Sequence, residues 1–470
     1  METDQTALPV VVIGAGPVGL AAAAHLANAG ESFLVLEAGT EVGAAMRQWA
    51  HVRVFSPWRH DIDDVAAVML AKTGWQLTDG DAYPTGGDLI DHYLAPLAAL
   101  PQIAPHLRVN TRVVSVSRAG FDKVKTPDRE HAPFLLIVST PTGEERILAR
   151  AVIDASGTWA TPNPLGSGGV PAIGETSFAR QLFYGIPDVL GRDRERYAGK
   201  RVLVVGSGHS AFNALIDLVK LSRETPGATI SWAVRRAPTP HMYGGEHNDA
   251  LPARGSIGTQ VRQEVERGDI RLETGFKIQR LSELNSRLMV ESQDGRIIGP
   301  FDEIVVTTGF RPQLAMLSEL RLSLDPALES PSALAPLIDP NVHSCGTVPP
   351  HGAEELRHPE ADLYIVGMKS YGRAPTFLML TGYEQVRSVV AAIRGDWDAA
   401  RRVKLILPES GVCSLDTEGP SEAAACCDIA PTAEVSCCTP LHTDGDHCCV
   451  ESRELALAGV GSDGAAQCCG

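Results

Sequence analysis

A short apolar run, a glycine-rich turn, a helix-length segment and a second apolar run follow one another twice in this chain. That repeated βαβ pattern predicts an α/β fold with two Rossmann-like dinucleotide-binding domains. The first copy reads PVVVI (9–13), GAGPVGLAAAAHLANAG and ESFLVLEAG; the second reads RVLVV (201–205), GSGHSAFNALIDLVKL and TISWAVRR. The region after Pro408 stands apart: it is polar, rich in small residues, and holds most of the cysteines.

In the first copy Gly14, Gly16 and Gly19 form G-x-G-x-x-G. Such glycines allow a tight turn, let a pyrophosphate approach the backbone, and let the helix pack on the strand. The helix start then offers free N–H groups and a positive dipole end to phosphates. Glu37 ends the second strand, about 20 residues on, where a carboxylate accepts ribose hydroxyls. In the second copy Gly206, Gly208 and Ala211 form G-x-G-x-x-A, with Ser210 inside the turn. Its second strand ends in Arg235 and Arg236, where a carboxylate would repel a 2′-phosphate and guanidinium groups pair with it. That pair selects NADPH over NADH. Two solvated surface charges are the plainer alternative.

Further strands are expected at VVSVS (113–117), FLLIVST (134–140), AVIDASG (151–157), EIVVTTGFRP (303–312) and DLYIVGM (362–368). The first two of these suggest a small antiparallel element between Rossmann strands. PTFLMLTGYEQVRSVVAAIRG has helical spacing, with Thr376 a possible N-cap and Gly395 a possible stop. The expected plan is a discontinuous domain of residues 1–160 and 303–407, an inserted domain of 161–302, and a tail of 408–470 with too little apolar surface to fold alone.

Hydrophobic residues make up 44% of the 470-residue chain and charged ones 21%, which suits a globular protein with a large core. The net charge of −16 argues against a general nucleic-acid surface. No apolar run is long enough for a membrane span, and METDQTALPVVVIGAG lacks the basic start of a signal peptide. A cytoplasmic location with reduced thiols is therefore expected. Residues 1–344 hold no cysteine; Cys345 and Cys413 are single. The other eight are the adjacent pairs Cys426–Cys427, Cys437–Cys438, Cys448–Cys449 and Cys468–Cys469. Adjacent cysteines bridge each other poorly, so the pairs read as soft thiolate ligands for a metal or metalloid. An accidental cysteine bias is the alternative.

Arg47, Trp49, Ser56 and Trp58 follow the first unit and are candidates to line the reacting ring; core tryptophans and a surface arginine are the plainer reading. His241, His247 and Asp249 in HMYGGEHND lack a further ligand at a recognised metal spacing, so they read as a loop. His25 reads as packed or solvated.

This arrangement resembles the two-dinucleotide-binding-domain flavoproteins. DASGTW (154–159) and TTGFRP (307–312) are similar to the two strand-end crossovers of that superfamily, which marks Gly157 and Gly309. Gly367 matches its late FAD glycine, though Met368 stands where relatives often carry Asp. Val113 matches the position whose backbone touches adenine. The resemblance implies FAD on the first unit and NADPH on the second. No cysteine pair lies where disulfide reductases need one. RYAGKRVLVVGSGHSAFN resembles flavin-containing monooxygenases, and Phe183 and Gly185 fit their F-x-G-x-x-x-H motif, but Val189 replaces its histidine. HVRVFSPW, YGIPDVLG, LPARGSIG and SYGRAPTFLMLTGYEQVRSV resemble flavin-dependent monooxygenases of bacterial arsenic resistance. The activity so implied is NADPH- and O2-dependent oxidation of a soft nucleophile such as a trivalent arsenical. QCCG at 467–470 is similar to the end of mercuric reductases. A reductase of a metal ion or dithiol, and a metal-sequestering protein with a vestigial flavoprotein body, remain open. A homodimer is possible.

Overall fold

The computed structural model describes residues 7–403 except 78, 240, 241, 250, 343–347, 375 and 376. All eight paired cysteines, Cys345, Cys413, His241 and Thr376 lie outside the described residues, and so does the tail expected at 408–470.

The first βαβ unit forms because Val10–Ile13 and Phe33–Leu36 are apolar on both faces, as strands covered on both sides require. Five parallel strands make the first sheet, in the order Leu363–Ile365, Ala151–Asp154, Val10–Ile13, Phe33–Leu36, Leu107–Arg108. Helix Pro17–Asn28 starts with proline at its first position, where φ is pre-set and no N–H is missed. Its alanine run lets helix Met379–Ile393 pack close: a Cβ on Gly382 would lie 2.5 Å from Val18. That second helix starts at Met379 with no side-chain cap, and Gly395 follows it at φ 80°, the stop the sequence suggests.

The second sheet is also parallel, in the order Ile270–Glu273, Thr229–Ala233, Arg201–Val205, Glu303–Val306, Leu182–Tyr184. Helix His209–Glu224 covers it with Ala211, Leu215, Leu218 and their neighbours at helical spacing. Glu303–Val306 hydrogen-bonds inside this sheet, between Arg201–Val205 and Leu182–Tyr184.

Each parallel sheet has an antiparallel companion. The expected pair 113–117 and 134–140 gains a third strand, Gly143–Ala149, and a second meander joins Ile278–Leu284, Arg287–Ser292 and Ile297–Phe301. Among the described residues no helix is long and apolar enough to cross a membrane.

A buried charge cluster fixes the first meander to the first sheet. Glu360 accepts Arg118 Nε and Arg129 Nη1 at 2.8 Å each and the Arg321 N–H at 3.0 Å. Its side chain and both guanidiniums are at most 4% exposed. The Arg118 guanidinium also lies 3.7 Å above the Phe134 ring. Removing the shared acceptor would leave two buried cations unpaired. Glu360→Ala is therefore expected to lower the unfolding free energy by about 3–5 kcal/mol, measured by chemical denaturation, with Asp a partial rescue.

Candidate dinucleotide-binding sites

Both glycine turns lie at the carboxyl ends of parallel strands, where open α/β sheets bind ligands. In the first turn Gly14 adopts φ 98°, and a Cβ there would sit 2.8 Å from the Ala155 carbonyl oxygen. A Cβ on Gly19 would sit 2.0 Å from Gly14 O. Gly16 differs: nothing lies within 4 Å of where its Cβ would be. Gly16 is also the N-cap of helix Pro17–Asn28 and offers no capping side chain. The open space therefore faces an uncapped helix start, the arrangement that binds an anion. Glu37 is held there by the N–H groups of Ala15 and Gly39, both at 2.7 Å. A carboxylate has lone pairs beyond those two for a ribose diol.

The second turn repeats the design. Gly206 adopts φ 134° with Thr307 O 2.5 Å from the position of a Cβ; Gly208 borders open space and caps helix His209–Glu224 without a side chain. Ala211 is buried against the sheet, and Ser210 is half-buried in the first helical turn. The Trp232 indole donates to Gly206 O at 2.6 Å and fixes the turn from below. Arg235 is exposed and Arg236 half-buried just beyond the strand Thr229–Ala233. No carboxylate takes the place that Glu37 holds in the first unit.

The crossover segments join the two turns. Gly157, Gly309 and Gly367 all have positive φ, at 68°, 88° and 69°. The chain leaves and re-enters the first domain side by side: Asn163 N–H donates to Gly309 O at 2.8 Å, Arg311 N–H to Thr161 O at 2.9 Å, and Pro162 bridges Phe310. Gly367 N–H donates to Gln385 Oε1 at 2.8 Å. Val113 is buried in the packing between the first sheet and its meander.

Sequence reasoning missed Lys369. Its ammonium donates to Asp154 Oδ2 at 2.6 Å and to Ser156 Oγ at 3.1 Å, and neither charged side chain is exposed. The signal was available: an aspartate ending the otherwise apolar run AVID must find a partner. The pair ties two adjacent strand ends directly beside Gly14, whose Cβ would meet Ser156 Cα at 3.1 Å.

The ring-lining candidates separate. Arg47 turns to the surface, paired with Asp91 at 2.8 Å and Glu41 at 3.2 Å, which raises its pKa further. Trp49 lies 6.4 Å from Trp159, which stacks on Phe310 at 4.6 Å and donates to Gln48 at 2.9 Å. Trp58 packs against the first core, and Ser56 donates to Asp61 at 2.5 Å. Phe55 lies 5.3 Å from the ring of His209, the first residue of the second dinucleotide helix. The segment 52–58 therefore reaches from one unit to the other. Burial, then the nearby Arg254 cation, pushes His209 down to about 4, so it is neutral at pH 7.

Gly185 has φ 106° and a Cβ there would meet the Trp159 ring at 3.1 Å; Val189, which replaces the motif histidine, is buried. Asp249 is buried and accepts Arg254 Nε and Nη2 at 2.8 Å each, so its carboxylate is engaged by a guanidinium. His247 is exposed, and among the described residues no three potential ligands gather for a metal. His25 is packed and joined to Asp63 at 3.0 Å.

The family model described as Pyridine nucleotide-disulphide oxidoreductase matches residues 11–332, which include both turns and both crossovers. The chain belongs to the pyridine nucleotide-disulphide oxidoreductase family. Its fold is the FAD/NAD(P)-binding type of that family. Indole-3-pyruvate monooxygenase YUCCA1 of Oryza sativa subsp. japonica is 31% identical over 226 residues, covering 47% of each chain. The chain thus spans about half the length of this relative. Among solved structures, Bacillithiol Disulfide Reductase Bdr (YpdA) from Bacillus cereus shares the fold with a TM-score of 0.60 at 20% identity, over 83% of this chain and 99% of that one. DfoA, the cadaverine monooxygenase of Erwinia amylovora, has a TM-score of 0.56 at 13% identity, over 88% and 99%.

The two kinds of glycine separate in one test. Gly19→Ala forces a Cβ onto Gly14 O and should lower the melting temperature by several degrees, whereas Gly16→Ala points into open space and should change it little. Equal shifts in thermal unfolding would count against the geometry of the turn.

Proposed function

We propose that this member of the family is an NADPH- and FAD-dependent monooxygenase acting on a soft nucleophile, a trivalent arsenical or related metalloid. The observation that carries the cofactor reading is the contrast between two otherwise alike turns: Glu37 closes one and Arg235–Arg236 closes the other. The residues present fit both groups. Gly16 and Gly208 each leave the room a pyrophosphate fills, at uncapped helix starts.

FAD, when bound, supplies hydride acceptance from NADPH and the activation of O2. The chain's own residues do the rest. Glu37 orients the ribose of one dinucleotide, and the two arginines hold the 2′-phosphate of the other. The segment 52–58, with Phe55 against His209, ties the two units together near the second turn, and oxygen transfer needs such a site closed to water. A monooxygenase is favoured over a disulfide reductase by the cysteine-free stretch 1–344 and by a relative named as an indole-3-pyruvate monooxygenase. The arsenical substrate rests on the sequence resemblance and on the paired thiols of the tail, Cys426 to Cys469, which would capture a thiophilic metalloid and raise its local concentration.

Purified protein should release FAD on denaturation, and Gly16→Val should fold without it. NADPH should bleach the bound flavin without oxygen, and arsenite or methylarsenite should then lower the hydrogen peroxide released per NADPH oxidised in air. Flavin that is reduced yet transfers no oxygen to any soft nucleophile, while reducing a dithiol or metal ion, would replace this reading with a reductase.

Replacing Arg235 and Arg236 with alanine should remove charge-assisted bonds of about 1.5–3 kcal/mol each, and so cut the preference for NADPH over NADH at least tenfold. Steady-state kcat/KM for the two nicotinamides reads this directly. Deleting 408–470 should leave flavin reduction intact and lower the number of arsenite ions bound.

A further inference from the structure

Asp61 is a buried carboxyl group with half of its hydrogen-bonding capacity unused. It has no exposed surface. Oδ1 meets the Ser56 hydroxyl at 2.5 Å, while Oδ2 is buried without a partner. The groups packed around it are mostly neutral or acidic. Tyr383, on helix Met379–Ile393, donates to the Asp61 carbonyl at 2.7 Å. Tyr93 accepts the Asp63 N–H at 3.1 Å, and Asp63 is held by His25 at 3.0 Å. His60 is adjacent, and its own burial lowers its pKa; Arg59 is engaged by Asp81. No described cation pairs with Asp61. Burial therefore pushes its carboxyl up to about 8, against the smaller lowering by Ser56.

The position of Ser56 gives this group a direction. Val52 packs on the core of the second domain, Phe55 touches His209, and Trp58 packs on the core of the first. Ser56 stands half-buried on that bridging segment, with its hydroxyl on Asp61 and its neighbour Phe55 against the first residue of the second dinucleotide helix. A hydroxyl can accept and donate at once.

We propose that Asp61 and Ser56 form a two-residue proton relay that serves the space between the two turns. The inference rests on the dinucleotide reading above. Conversion of a substrate, O2, NADPH and one proton into oxygenated substrate, NADP and water takes one proton from solution. In the relay the Asp61 proton passes to Ser56 Oγ as the Ser56 hydroxyl proton leaves toward a basic oxygen of the reactants. Asp61 is left a carboxylate, Ser56 is unchanged, and no electrons move. The reverse path restores the proton from solvent.

The test uses the full-length protein. Infrared spectra of the oxidised protein at pH 7 should contain the C=O band of a buried protonated carboxyl. The band should be absent from Asp61→Asn and retained in Ser56→Ala. Its persistence in Asp61→Asn, or its absence from the unaltered protein, overturns the proposal. Stability adds an independent check. A folded pKa above the unfolded 3.8 contributes no penalty below about pH 4, and weakens the fold as pH rises toward 8. Asp61→Asn should flatten that decline in melting temperature, and an unaltered decline counts against the assignment. For the relay itself, both variants should lower kcat severalfold below about pH 8, where Asp61 still carries its proton, and converge with the unaltered enzyme above it, while leaving KM for NADPH unchanged. If the carboxyl band behaves as expected but both pH profiles match the unaltered enzyme, Asp61 is structural and the relay is wrong. Failure of NADPH to reduce the flavin would instead count against the cofactor reading, which the infrared band does not depend on.

Discussion

Each dinucleotide turn rests backbone to backbone on a crossover segment. Gly14 approaches Ala155 and Gly206 approaches Thr307 so closely that no side-chain carbon fits between them. These contacts set where the turns can go, and the rest of the architecture follows from them. A turn pressed on its neighbour strand leaves the next glycine facing outward, over a helix start with nothing to cap it. The two glycine classes are thus complementary. Gly14, Gly19 and Gly206 are filled in by the protein's own backbone, and Gly16 and Gly208 are left for something else.

The charges beneath the first turn serve the same geometry. Lys369 reaches across from one strand end to Asp154 on the next and to Ser156 beside it. Buried ion pairs of this kind contribute little net stability, because desolvation offsets attraction. Their value is directional: an ammonium surrounded by fixed acceptors tolerates few arrangements of the loops that carry them. The Arg118–Glu360–Arg129 cluster does likewise for the meander.

The central strands and both turns were legible in sequence because strands covered on two faces must be continuously apolar, and Val10–Ile13 and residues 202–205 are. The edges were not. Gly143–Ala149 alternates between exposed and half-buried until the buried Ala149, so EERILA reads as a polar stretch until Phe134–Thr140 is beside it. The second meander is hidden for the same reason, with exposed Leu284 and Ile297 blurring its alternation. The sheet that EIVV joins was hidden because the run suits either parallel sheet, and only pairing with Arg201–Val205 decides between them. Of the candidate site, the two glycine turns and the places of Glu37 and the arginine pair just beyond their strands follow from spacing. Lys369 and the Phe55–His209 contact were not, since they join residues far apart in the chain, and Asp61 was not, since only the fold shows its carboxyl buried. Arg47 could not be separated from a surface arginine until Glu41 and Asp91 were seen to hold it.

The side-by-side exit and return of the chain at Asn163 and Gly309 has a topological consequence. The second domain is an insertion whose two ends are hydrogen-bonded neighbours. Excising it would leave a gap that a very short linker closes, and the first parallel sheet takes none of its strands from the excised span. The same adjacency makes the insert a candidate for circular permutation. A protein built this way can exchange one nucleotide module for another without re-threading the domain that receives it.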